Sequence, residues 1–381
     1  MSFKVACVVS MFNAKSGGPP GTVALIAQAG KGLWQSVLFA TDHQESRGDT
    51  LLFDKFAGQV NVLPRQMLSA TRGLAMMAGL DRSCGNGMRR VAPDIVHIHG
   101  MWSPLLAAFA QHARRLRIPY IVSPHGMLEP WSLSAGARRK SLALRTYQGR
   151  ILRDAVAIHT TSVMEATHVR SLGVTRAPII VVPNIVEAPM AIHEDQTAPK
   201  DRNRVLLFLS RIHRKKGLDT LLSAWNGIRP PGWNLLIVGS GDPSYLQSLQ
   251  HLCRSNGMAD VRFHPHAEGE TRERLFRSAS AFVLPTHSEN FGNVVAEALI
   301  RGLPVITTTG TPWSELVPRR CGWYVEPSVG ALMNVLAEAT AMDENTLREM
   351  GARGRDYALA HFSLTVVRSA LLEMYRTAMH A

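Results

Sequence analysis

The sequence predicts an α/β protein of two domains, each a parallel β-sheet covered by helices on both faces. Three observations predict it. Short runs rich in Val, Ile and Leu alternate with helical stretches along most of the chain, the signature of strands buried on both faces. The alternation breaks once, over residues 187–203 (EAPMAIHEDQTAPKDRN), and then restarts. The length, 381 residues, suits two domains that each bury a core.

In the first domain, residues 1–186, strands are predicted at Lys4–Met11, Trp34–Thr41, Gln59–Leu63, Ile95–His99, Tyr120–Ser123, Ala155–Thr160 and Ile179–Val182. Residues 187–203 are polar, contain two prolines and read as a linker. The second domain, residues 204–362, has predicted strands at Val205–Leu209, Asn234–Val238, Val261–His264, Ala281–Leu284, Pro304–Thr307 and Gly322–Val325. Residues 363–381 close the chain, with an amphipathic helix from Ser363 to about Met379. Two such Rossmann-like sheets imply a cleft between them, with ligands bound beyond the carboxyl ends of the strands.

Hydrophobic residues make up 46% of the chain, and mean hydropathy is −0.01. No apolar run approaches the roughly 18 residues of a membrane-spanning helix. The opening MSFKVACVVSMF reads as a buried strand, because it lacks a strongly basic leader and a small-residue cleavage site. Cys7, Cys84, Cys253 and Cys321 are widely spaced, with no C-x-x-C, which points to a reducing, cytoplasmic setting and away from zinc. The net charge is +13. Residues 1–190 hold 21 Lys and Arg against 10 Asp and Glu, while residues 191–381 hold 21 against 19. The excess in the first half points to an anionic partner: a membrane surface, nucleic acid or a phosphorylated substrate.

The most informative string is HSENFGNVVAEALIRGLPVITT, residues 287–308. It follows the apolar run Ala281 to Leu284, stopped by Pro285. After Gly292 the pattern turns helical, with Val294, Val295, Ala298 and Leu299 on one stripe. Glu289 therefore lies in a loop after a strand, and Glu297 about two turns into the next helix. Glycine between them allows close approach of a ligand, and the first helical amides are free to receive an anion. Such a site suits a ligand with hydroxyls and phosphate, such as a nucleotide sugar.

The string resembles the E-x7-E motif of retaining glycosyltransferases of the GT-B fold, glycosyltransferase family four. The resemblance implies that Glu289 meets the donor sugar and Glu297 the ribose, with Asn290 in the donor site and Phe291, Gly292 and Asn293 offering backbone amides. A second matching string is LFLSRIHRKKGLDTLLSAW, residues 207–225. There the resemblance implies that Arg211 and Lys216 neutralise the donor diphosphate. Fixed cations would answer the charge that grows as the nucleotide diphosphate leaves. The sequence has no Asp-x-Asp pair to hold a divalent ion, so no metal or cofactor is expected beyond the nucleotide-sugar co-substrate.

Three further signals lie in the first domain. Ser16-Gly17-Gly18 resembles the family's first loop and assigns Gly17 and Gly18 to the donor site, although a plain turn reads equally well and the G-x-G-x-x-G pattern fails. Ser123-Pro124-His125-Gly126 places His125 where the family's histidine reaches the donor sugar and leaving phosphate. His99, on the same strand face as His97, is a second candidate. The run HGMLEPWSL, residues 125–133, resembles members that build bacterial surface polysaccharides, and so does Thr311-Pro312-Trp313. Within the first run, Glu129 and Trp131 either touch the acceptor or pack in a loop. Asn184-Ile185 departs from the family's usual Asn-Gly.

Residues 135–153, AGARRKSLALRTYQGRILR, form a basic amphipathic segment. It either lies on an anionic membrane or packs its leucines on the sheet. The resemblance implies a cytoplasmic, membrane-peripheral, retaining hexosyltransferase that extends a lipid-linked bacterial surface glycan. A sugar-nucleotide epimerase of the same architecture is the enzymatic alternative, and a basic nucleic-acid-binding protein the non-enzymatic one. The basic segment has one Tyr and no reading motif, which argues against nucleic acid.

Overall fold

The structure is a computed structural model and describes residues 2–12, 18–41, 56–63, 73–187, 189 and 204–381. It divides into two compact units, Met1–Ile185 with Leu364–Ala381, and Val186–Ser363. Most of the predicted linker, residues 188 and 190–203, lies outside the described residues, as does Gly17.

The first unit runs β1 (Phe3–Met11), α1 (Gly18–Ala29), β2 (Trp34–Thr41), β3 (Gly58–Leu63), α2 (Gly73–Val91), β4 (Ile95–His99), α3 (Pro104–Arg115), β5 (Tyr120–Ser123), α4 (Pro130–Ser134), α5 (Ala137–Arg145), α6 (Tyr147–Asp154), β6 (Ala157–Thr160), α7 (Val163–Ser171) and β7 (Ile179–Val181). Its seven strands are parallel, in the order β3-β2-β1-β4-β5-β6-β7. The order reverses direction between β1 and β4. The two faces of the sheet bury separate apolar layers, as the period of two requires. Ala6 and Val8 of β1 join the layer that holds residues of α2 and α3. Val5, Cys7 and Val9 join the layer that holds residues of α1.

The second unit runs β8 (Arg204–Leu209), a 3-10 turn (Arg214–Lys216), α8 (Leu218–Ile228), β9 (Trp233–Val238), α9 (Pro243–Ser255), β10 (Val261–His264), α10 (Gly269–Ser278), β11 (Ala281–Leu284), α11 (Asn293–Ile300), β12 (Val305–Thr308), β13 (Gly322–Val325), α12 (Val329–Ala341) and α13 (Glu344–Phe362). Its six parallel strands are ordered β10-β9-β8-β11-β12-β13 and reverse between β8 and β11. Helix starts follow local chemistry. Ser162, Asp242, Ser328 and Asp343 each accept a hydrogen bond from an amide in the helix they precede, satisfying a donor that the first turn leaves unpaired.

The last helix, α14 (Leu364–Met379), belongs to the first unit. It buries Val367, Leu371, Met374, Tyr375 and Ala378 in the same layer as α1. The Tyr375 ring meets Trp34 edge-on at 5.3 Å and Phe3 at 6.1 Å.

The basic segment 135–153 is not one helix. Thr146, at φ −104° and ψ −108°, breaks it into α5 and α6. α6 buries Ile151 and Leu152 in the core, whereas on α5 Leu144 packs against it only partly buried and Leu142 stays exposed. The predicted β6 is shorter by two residues, because Ala155 caps α6 in extended conformation before Ala157 enters the sheet.

Candidate active site

In the second unit, the loops after β8 and β11 leave neighbouring strands on either side of the point where the strand order reverses, which is where open α/β sheets bind ligands. The loop after β8 turns through His213, whose Nδ1 accepts the Lys215 amide at 3.0 Å. It ends at Gly217 with φ +67°, where a Cβ would lie 2.1 Å from the Pro285 carbonyl oxygen. Glycine is therefore required both by the backbone angle and by the β11 loop pressing on it. The two loops are stitched together. The His287 amide and the Thr286 hydroxyl both donate to the Lys215 carbonyl, at 2.8 and 2.9 Å. The Glu289 amide donates to the Gly310 carbonyl at 2.7 Å.

This stitching brings Lys216 against Glu289. The Lys216 ammonium, largely buried, donates to the Glu289 carboxylate. Two residues expected to meet different parts of one ligand thus form a single ion pair. Arg211, just past β8, is exposed and forms no ion pair among the described residues. Gly292, at φ +76°, caps α11. Asn293 is the first residue of that helix, so Glu297 lies one turn in rather than two. Glu297 is bound by the Arg272 guanidinium from α10, a partner with no signal in the sequence. Beside it, Arg301 donates to the buried Glu273 carboxylate at 2.7 and 3.0 Å and to the Glu297 carbonyl at 3.0 Å. Asn290 is half-buried. The Phe291 side chain is core, packed on Trp313 and Phe362, and its carbonyl accepts the Trp313 indole N–H at 2.5 Å. Trp313 is therefore a brace for the loop, buried and not offered to a ligand.

In the first unit, a histidine cluster lies at the carboxyl ends of β4, β5 and β6. His99 Nδ1 is 3.0 Å from His125 Nε2, with the rings stacked at 16°. His97 lies 3.9 Å from His99, ring centre to ring centre. His97 Nδ1 contacts the Tyr375 hydroxyl at 2.9 Å, and its Nε2 contacts Ser123 Oγ at 2.7 Å. Ser123 Oγ also meets His159 Nδ1 at 2.8 Å, and His159 Nε2 meets the Val182 carbonyl at 2.9 Å. Burial, reinforced by neighbouring imidazoles, holds His97 and His99 well below the usual histidine range. Burial likewise lowers His125 to about 3 and, against the pull of the Val182 carbonyl, His159 to about 4. All four are neutral at pH 7.

His125 itself has φ +50°, an unusual backbone for a non-glycine residue, and Gly126 follows at +74°. The buried Glu165 carboxylate holds this turn, accepting the Gly126 amide at 2.7 Å and the Thr161 amide at 2.8 Å. Burial raises its carboxyl to about 7 against the pull of those two amides, and nearby Glu129 adds to the rise. Glu129 is itself buried, so it faces the protein interior; Trp131 is the exposed member of that pair. Gly18 is the exposed first residue of α1.

Two family models match the chain. One described as "Glycosyl transferase 4-like domain" covers residues 17–185, and one described as "Glycosyl transferases group 1" covers residues 203–341. The chain is a glycosyltransferase. The D-inositol 3-phosphate glycosyltransferase of Xylanimonas cellulosilytica is 29% identical over 65% of this glycosyltransferase, which spans 61% of that protein's length. That of Segniliparus rotundus is 26% identical over 83% of this chain and 72% of its own. Among solved structures, Anabaena HepE in complex with UDP and glucose superposes with a TM-score of 0.79 at 18% identity, over 98% of this chain and 100% of that one. That likeness gives the glycosyltransferase the two-domain GT-B fold.

Proposed function

We propose that this glycosyltransferase binds a nucleotide-sugar donor at the β8/β11 reversal point and passes the sugar, with retained configuration, to a lipid-linked surface glycan. The observation that carries the reading is the Lys216–Glu289 pair, formed at that point with Arg211 exposed beside it. An incoming diphosphate competes with Glu289 for Lys216 and finds a second cation in Arg211. Glu289, released, accepts from sugar hydroxyls. Glu297, held in place by Arg272, accepts from the ribose, and the first amides of α11 face the phosphates. The growing charge on the departing diphosphate is answered by these cations with no metal or other cofactor.

HepE, which shares the fold, was solved with UDP and glucose, and that favours a uridine diphosphate sugar as the first donor to try. In the first unit, His125 supports the donor sugar. Retention follows from attack on the face the leaving group departs from, with the leaving phosphate taking the acceptor proton. No side chain is assigned as nucleophile. The surface-glycan acceptor rests on the 125–133 and 311–313 strings. A peripheral position on the inner face of the cytoplasmic membrane rests on the basic first half and on α5 and α6.

A panel of nucleoside diphosphates and nucleotide sugars, scored by thermal stabilisation and by donor hydrolysis, tests the reading. One nucleoside diphosphate should stabilise the protein, and its sugar conjugate should turn over faster when a glycan acceptor is added. Turnover of the sugar nucleotide into an isomer with no acceptor would mark an epimerase. No stabilisation by any nucleotide would overturn the donor site.

A further inference from the structure

The hydrogen bonds of the histidine cluster fix their own proton directions. The Val182 carbonyl only accepts, so His159 carries its proton on Nε2. His159 is neutral, so its Nδ1 is a bare acceptor and the Ser123 hydroxyl donates to it. That hydroxyl must in turn accept from His97 Nε2–H. His97 Nδ1 is then bare and accepts the Tyr375 O–H. One carbonyl thus sets every proton from β7 to α14, and it leaves His97 uncharged against the face of His99.

The His99–His125 contact lies outside this chain and permits two arrangements. If His125 donated from Nε2 to His99 Nδ1, the proton of His99 would reside on Nε2, which is buried and has no partner among the described residues. That would bury an orphan N–H, the rarer of the two kinds of unsatisfied group. In the reverse arrangement, His99 donates from Nδ1 and keeps only a bare lone pair at the buried Nε2. His125 Nε2 then accepts, and its proton sits on Nδ1, which makes no hydrogen bond among the described residues. We infer that His99 is a positioning residue that fixes the tautomer of His125, so that His125 offers an Nδ1–H donor to the ligand. The neutral state of both rings, enforced by burial, is what makes the choice of tautomer matter.

The inference rests on the proposed transferase reading for its functional meaning, since that reading makes His125 a donor to sugar or phosphate. The tautomer itself does not depend on it. Imidazole nitrogen shifts of ¹⁵N-labelled protein, read with no donor or acceptor present, should show His125 in the Nδ1–H form. A wild-type His125 in the Nε2–H form overturns the inference. In the His99→Leu variant, His125 should lose that single form, and kcat should fall about tenfold with donor KM changed less, the scale of one hydrogen bond lost from the transition state. The His99→Asn variant places an amide N–H near the position of Nδ1 and should recover the Nδ1–H form and most of the lost rate. A His99→Leu protein with His125 still wholly Nδ1–H also overturns the inference. If His99→Leu fails to fold, the wild-type spectrum and His99→Asn decide it. Should no nucleotide sugar turn over, the spectra still report on the tautomer, so the two readings fail separately.

Discussion

The Lys216 ammonium and the Glu289 carboxylate are ion-paired across 73 residues of sequence. They meet because β8 and β11, whose loops carry them, are neighbours in the sheet. Neither charge is fully exposed, so each is the other's compensation until a ligand intervenes. Glu289→Ala removes the carboxylate and leaves a largely buried ammonium behind. Transfer should fall at least about tenfold, since a hydrogen bond to a charged group is worth about 1.5–3 kcal/mol. Steady-state kinetics on a variant with wild-type circular dichroism checks this, and unchanged kinetics would remove Glu289 from the site.

Arg211→Ala acts differently, because Arg211 holds no ion pair with the described residues. Its loss should leave stability nearly untouched and weaken nucleoside diphosphate binding, measured by calorimetry. Activity should survive chelators. A complete loss that added metal reverses would assign the diphosphate to a divalent ion.

The buried histidines set the response to acid. Their folded-state values lie below the ordinary histidine value, with His125 near 3 and His159 near 4. The unfolded chain thus binds more protons as pH falls below about 6.5, and stability drops through that range. Glu165 has the opposite sign. Its value of about 7 lies above the ordinary 4.5, so its own contribution declines as pH rises from 4.5 to 7. Four histidines oppose one carboxylate, so the melting temperature should fall from pH 6.5 towards pH 4.5. A flat profile there would mean the cluster is solvated in solution.

Tyr375 ties α14 to the sheet by packing and by one hydrogen bond. Tyr375→Phe keeps the ring against Trp34 but strips the hydroxyl that meets His97 Nδ1, at a cost of about 1–3 kcal/mol. Tyr375→Ala also opens a cavity and should cost about 3–5 kcal/mol. Urea denaturation of the two variants checks the order. Equal losses would show that the hydroxyl carries the whole attachment.

Binding to anionic vesicles should be sensitive to salt. Arg138, Arg139 and Arg145 are exposed on α5, whereas Lys140 donates to the Ser132 carbonyl and lies 5.9 Å from the Trp102 ring. Charge reversal of the three arginines tests the surface without disturbing that contact. Each near the membrane contributes about 1 kcal/mol and acts within a Debye length of roughly 8–10 Å. Co-sedimentation indifferent to salt and to the reversals would refute membrane binding and leave the transferase reading intact.

Strand positions were legible because a strand buried on both faces has few ways to be written. β1, β2, β4, β5 and β8 to β11 fall within about a residue of the expected bounds. The motif loops were legible because Gly217 and Gly292 occupy backbone angles that glycine accepts freely. What could not be read was who meets whom. The Lys216–Glu289 pair follows from strand order, which no local pattern encodes. Arg272 comes to Glu297 from a helix whose surface reads as ordinary charge. Glu165 supports Gly126 from 39 residues away, through a carboxylate that the sequence presents as one more helix-start acid. The break at Thr146 also escaped, since no proline or glycine marks it.

The first unit is interrupted in sequence by the whole of the second. Its sheet layer around Phe3 and Trp34 is covered in part by α1 and completed when α14 arrives. During synthesis at roughly 5–20 residues per second, the intervening segment occupies the ribosome for on the order of ten to forty seconds. Through that interval the nascent first unit shows an apolar face, while the contiguous second unit has all it needs to fold as soon as it emerges. The later-made half is thus the one whose contacts are all at hand first, and the earlier half is completed last, when α14 docks.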